Sequence, residues 1–116
     1  MTIYGVSQST GVERRLKVEM GAQGVVLIII DHPGSKELER ILVQADNLLA
    51  AVTDPPSGGS TVEGISPPYG PKMLLDIEVR RNEVLLKVSA GSGKESDVAV
   101  GLDDFQDALE GIITRG

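Results

Sequence analysis

Few side chains in this sequence have the type and spacing to carry out chemistry. His32 is the one histidine, in Asp31-His32-Pro33-Gly34. An Asp-His pair can relay a proton. Chain neighbours, however, do not naturally form the carboxylate–imidazole hydrogen bond of a triad, and no nucleophile stands near. Asp, Pro and Gly in this order are turn chemistry between a strand and the next element. The chain has no cysteine, which removes thiol catalysis, disulfides and cysteine metal sites. One histidine alone is a poor start for a transition-metal site. The acidic clusters Asp103-Asp104-Asp107-Glu110 and Glu37-Glu39 lack the alternating oxygen ligands and central Gly of a calcium loop. They read as solvated helix faces. Gly91-Ser92-Gly93-Lys94 invites comparison with a phosphate loop. That pattern needs Gly where Val88 stands and Ser or Thr where Glu95 stands, so a hairpin loop is the better reading. The expectation is a protein that is not an enzyme and holds no cofactor or metal.

The elements that carry these residues are more legible. The 116 residues suit one domain, 1–116, and 41% hydrophobic with 24% charged is ordinary globular composition. The longest apolar run, residues 25–30, is far short of the roughly 20 residues a membrane helix needs. The first residues show no signal-peptide pattern, so a cytoplasmic protein is expected.

Self-similarity is the strongest signal. Shifted by 59 positions, residues 2–29 lie on residues 61–88 without a gap, and eight of 28 positions are identical. Alternating aliphatics would match between any two hairpins. The pairs Thr2/Thr61, Gly5/Gly64, Ser7/Ser66 and Gly11/Gly70 are polar or small and need another explanation. A duplicated unit is therefore expected: unit 1 over 1–53, a linker over 54–60 and unit 2 over 61–116.

Each unit reads as β-β-(β)-α. Leu75, Ile77 and Val79, then Val84, Leu86 and Val88, alternate with more polar residues, as half-buried strands do. Unit 1 repeats this with Leu16, Val18, Met20 and Val25, Leu27, Ile29. Residues 3–7 and 62–66 are possible extra strands, as is 97–100 within an insertion of about eight residues in unit 2. Leu38, Ile41, Leu42, Ala45, Leu48, Leu49 and Val52 fall on one helical stripe of about four turns, N-capped by Ser35. Phe105, Ala108, Leu109, Ile112 and Ile113 make a second stripe, with Asp103 and Gln106 spaced as a capping box.

A lone hairpin is marginal in water, so the economical arrangement is an α+β fold. Both units join in one antiparallel sheet, and two helices related by a pseudo-twofold axis cover one face. On the other face Val26, Ile28 and Ile30 would be bare. Burying each is worth roughly 1.5–3 kcal/mol, so they are covered either by the chain itself or by a second copy, and they are the candidates for a homodimer interface. The leading expectation is a small protein-binding or assembly module, homodimeric, with no membrane association.

Strands followed by a helix, duplicated at about 60 residues, are similar in outline to Pur-type and Whirly-type single-strand-binding domains. Residues 73–112 carry that resemblance, which is of architecture and brings no diagnostic motif. It implies nucleic-acid binding on the sheet, with Arg14, Arg15, Lys17, Arg80, Arg81 and Lys87 as contacts. Residues 2–30 and 61–92 together carry seven basic and six acidic side chains, against four and eleven elsewhere. The acidity thus belongs to the helical segments and leaves the sheet near neutral. Stacking aromatics are scarce: two Tyr, one Phe and no Trp.

Overall fold

The computed structural model describes residues 2–8, 10–21, 24–31, 38–53, 59–67, 70–90 and 95–115. Its elements run β1 (Thr2–Val6), β2 (Glu13–Met20), β3 (Val25–Asp31), β4 (Leu38–Gln44), α1 (Ala45–Thr53), β5 (Ser60–Ile65), β6 (Lys72–Arg80), β7 (Glu83–Ala90), β8 (Glu95–Gly101) and α2 (Leu102–Arg115). The eight strands form one closed antiparallel barrel in chain order. This corrects the expected open sheet with two helices on one face. Each half supplies four strands and one helix, and closure removes the sheet edges that an open arrangement would have to cover.

The missing strand explains the difference. Residues 38–44 fit a helical stripe, yet they form β4, and the first helix is only Ala45–Thr53. β4 pairs with β3 over its whole length, from Val25↔Gln44 to Asp31↔Leu38. Ile41 and Val43 point inward and are buried, and both are β-branched residues that suit a strand. Tertiary pairing outweighed a helical spacing that a seven-residue segment met by coincidence. The possible strands at 3–7, 62–66 and 97–100 appear as β1, β5 and β8. Ser60 opens β5, so of the expected linker Gly59 alone is described outside a strand. The Ser35 cap lies outside the described residues. Asp103 is not a cap but sits in the first turn of α2, and Gln106 Nε2 donates 3.2 Å to the Val52 carbonyl at the end of α1.

The ladders correct the alignment of the halves. Ile3↔Leu16 corresponds to Val62↔Leu75 at an offset of 59. Met20↔Val26 corresponds to Val79↔Val84, so β3 and β7 are related by 58. Ile28↔Ile41 corresponds to Leu86↔Val98, so β4 and β8 are related by 57. The first half holds one extra residue in each of these two hairpin connections. The residues expected as an insertion in the second half are the connection 91–94 and β8, which is the counterpart of β4.

That single-residue slip matters because it exchanges the two faces of a strand. Val26, Ile28 and Ile30 are fully buried in the barrel with Leu16, Val18, Leu75, Leu86 and Val98. They are core, not a homodimer interface. Val25, Leu27 and Ile29, expected inside, point outward. Met20 also departs from the expected core and is 41% exposed.

The polar identities now have a structural cause. Val6↔Ala99 is the one register pair that joins β1 to β8. Its counterpart is Leu42↔Ile65 between β4 and β5. At both seams a glycine allows the strands to approach. A Cβ on Gly5 would fall onto the Ala99 carbonyl oxygen, and one on Gly64 onto that of Leu42. Ser7 and Ser66 open matching loops. Gly11 N donates to Ser7 O at 2.8 Å and Gly70 N to Ser66 O at 2.6 Å. Ser7 N and Ser66 N donate to Val12 O and Pro71 O at 2.8 and 2.9 Å.

The helices complete the core. Both follow even-numbered strands and therefore leave the same end of the barrel. Leu48, Phe105 and Leu109 are fully buried, with Ala51, Val52 and Ala108 beside them. These stripes belong to the same apolar cluster as the inward strand residues, so the barrel interior is packed with side chains.

Candidate functional site

The residues singled out for chemistry do not assemble into a catalytic site. His32 and the loop 91–94 lie outside the described residues, as do Glu37 and Tyr69. Asp31, neighbour of the histidine, is buried and forms an ion pair with Arg15 at 2.7 Å. Asp103, Asp104, Asp107 and Glu110 are exposed along α2. No group of three or more metal-ligating side chains occurs among the described residues.

The six basic residues proposed as nucleic-acid contacts are divided. Arg14, Arg15 and Lys17 lie on β2, Arg80 ends β6, Arg81 is in the β6–β7 turn and Lys87 is on β7. β2 and β6 stand four strands apart in an eight-stranded barrel, on opposite sides. Several of these charges also have acidic neighbours. Arg80 Nε lies 3.2 Å from Glu78, and Lys87 Nζ is 3.9 Å from both Asp76 and Glu95. The structure therefore does not gather them into one groove. Among possible stacking residues, Tyr4 is 68% exposed and Phe105 is buried.

The barrel does organise its outer face. Side chains alternate along each strand, so the ladder registers place outward residues in rows. Lys17, Ile29 and Arg40 form one row across β2, β3 and β4. Glu19, Leu27 and Leu42 form the next, and Leu42 continues to Ile65 on β5. Val25, Leu27 and Ile29 thus make an outward aliphatic stripe that is half-buried by its neighbours. A concavity of about 460 Å³ opens at its β5 end, lined by Val25, Leu42, Gln44, Glu63, Ile65 and Lys72.

Across the barrel the corresponding row is Asp76, Lys87 and Asp97, on β6, β7 and β8. The Asp76 carboxylate accepts 2.7 Å from Thr61 Oγ1. Asp97 accepts 2.7 Å from Ser7 Oγ and 2.8 Å from the Gln8 amide. A larger concavity of about 690 Å³ lies over this side, lined by Asp76, Glu78, Leu85, Lys87, Glu95 and Asp97 among others. The halves therefore differ in charge. Residues 2–53 hold five basic and six acidic side chains, and residues 60–115 hold six and ten.

Sequence reasoning found the unusual strand but took the wrong side of it. The signal available was the run Val25-Val26-Leu27-Ile28-Ile29-Ile30, which states that both sides are apolar and not which is inside. The reversal of charge between the two rows was missed. It needs the offsets of 58 and 57, and only the ladders give those.

Compared with protein-family models, curated proteins and solved structures, the chain matches none of them. No helix among the described residues is long and apolar enough to cross a membrane.

Proposed function

We propose that the protein is a cytoplasmic, non-enzymatic protein-binding and assembly module that self-associates, and that its contact surface is the outer face of β2, β3 and β4. One observation carries this reading. The wet side of a barrel strand ordinarily alternates to polar residues, yet β3 presents Val25, Leu27 and Ile29 outward, extended by Leu42 and Ile65 in register. Singly exposed apolar residues need no explanation, whereas a contiguous patch marks a binding surface. The packed interior supports a role for the outer surface over an enclosed small-ligand site.

Sedimentation velocity over a concentration series tests the reading. The wild-type chain should rise above monomer mass, and Ile29→Asp should hold it at monomer mass while leaving its circular dichroism unchanged. A wild-type chain that stays monomeric throughout overturns the proposal. A second reading, single-stranded nucleic acid on the same side, draws on exposed Tyr4, which stands opposite Arg15 on the strand that also carries Lys17. Oligonucleotide binding that weakens steeply with salt is its expected signature, and its absence at about 50 mM salt discards it.

A further inference from the structure

We infer that the partner of the β2–β4 face is the opposite, acidic face of a second copy of the same chain, over β6, β7 and β8, so that self-association is head-to-tail. This rests on the proposed assembly role. The argument is one of matched geometry and reversed charge. Lys17, Ile29 and Arg40 occupy one cross-strand row. Asp76, Lys87 and Asp97 occupy the equivalent row of the other half. In each row the outer two members stand two strands apart, about 10 Å, so the two cations of one copy are spaced to meet the two carboxylates of the next.

Both carboxylates are held in place before any contact, Asp76 by Thr61 and Asp97 by Ser7 and Gln8. Such positioning lowers the ordering cost of forming ion pairs. The adjoining row is apolar at its centre on both faces. Leu27 on one face has Leu85 as its counterpart on the other, and the aliphatic stem of Lys87 can cover Ile29 while its ammonium stays wet. The concavity of about 690 Å³ on the acidic side gives the aliphatic stripe a surface to pack against.

The alternative is a symmetric contact of the β2–β4 face with itself. Centred on Ile29, that arrangement brings Lys17 of one copy to Arg40 of the other, and like charges opposed across an interface are unfavourable. Because β3 and β7 lie four strands apart, the two contact faces look in opposite directions. Repeating the contact therefore extends a chain and does not close a dimer.

A complementation experiment decides between these. Lys17→Glu disables the basic face and Asp76→Lys the acidic one. Neither residue is buried, so both variants should retain wild-type circular dichroism and melting. Each reversal should weaken self-association by roughly tenfold or more, leaving either variant alone close to monomer mass. Mixed one to one, they should associate again, because the intact acidic face of one meets the intact basic face of the other and the two reversed positions are themselves opposite in charge. Wild-type assemblies should continue to larger species and shrink as salt is raised. If Asp76→Lys alone self-associates like wild type while Lys17→Glu does not, the contact is symmetric. The head-to-tail inference is then overturned and the assembly reading stands. If the wild-type chain is monomeric, both fall.

Discussion

Ser7 Oγ donates a 2.7 Å hydrogen bond to the Asp97 carboxylate, joining residues 90 positions apart in the chain. The Gln8 amide donates to the second carboxylate oxygen at 2.8 Å. Together they pin β1 to β8 where the strands share a single register pair. Among the described residues the β4–β5 seam shows no such bridge, and Arg40 stands at the position equivalent to Asp97. Two hydrogen bonds to one carboxylate, from a hydroxyl and from a backbone N–H, thus substitute for a longer ladder. Asp97→Asn should cost about 1–3 kcal/mol in denaturant unfolding and should raise hydrogen exchange in β1 before any other strand. Uniform exchange across the barrel would contradict a weak first seam.

Glycine substitutions should differ in sign. Gly64→Ala places a methyl group on the Leu42 carbonyl and against the Ile41 side chain, and should destabilise by about 2 kcal/mol or more as the seam spreads. Gly111→Ala meets nothing within 4 Å on α2 and should stabilise by roughly 0.5–1 kcal/mol through helix propensity. Thermal melts of the two variants check the contrast.

The two sides of β3 make a sharper pair. Ile28→Lys puts an ammonium into a fully buried position and should abolish cooperative folding, a loss of about 4 kcal/mol or more. Ile29→Lys changes an outward side chain and should keep the fold within about 1 kcal/mol. Near-ultraviolet and far-ultraviolet circular dichroism of both variants reports the outcome. Equal damage from the two would contradict the inward placement of Val26, Ile28 and Ile30.

Arg15 and Asp31 should be coupled. The Asp31 side chain is 9% exposed and its partner 36%, so removing the cation leaves a carboxylate with little water. Arg15→Ala should cost about 1–2 kcal/mol after allowing for the exposed guanidinium. Adding Asp31→Asn should restore part of that loss. A double-mutant cycle measures the coupling, and additive single effects would show that the pair contributes nothing.

Much of the strand content was legible in alternating residues such as Leu75, Ile77 and Val79, because each strand has one wet and one dry side. The repeat was legible through Gly5/Gly64 and Ser7/Ser66, whose identity is dictated by seam approach and loop hydrogen bonds. Closure was not. It depends on residues 38–44 being a strand, and there Leu38, Ile41, Leu42 and Ala45 keep a helical spacing while Ile41 and Val43 alone carry the alternation of a strand. The inward side of β3 was lost to an alignment without gaps, in which one extra residue before Val26 exchanges the faces. The candidate contact surface inherited that error, moving from Ile28 to its neighbour Ile29.

The charge reversal between the Lys17–Arg40 and Asp76–Asp97 rows also acts before two molecules touch. It gives the barrel a transverse dipole on top of its net charge of −6. At physiological salt that field is felt only within about 8 Å, so molecules tumble freely until nearly in collision and then turn flank to flank. Such late alignment raises the rate of productive encounter more than the lifetime of the complex.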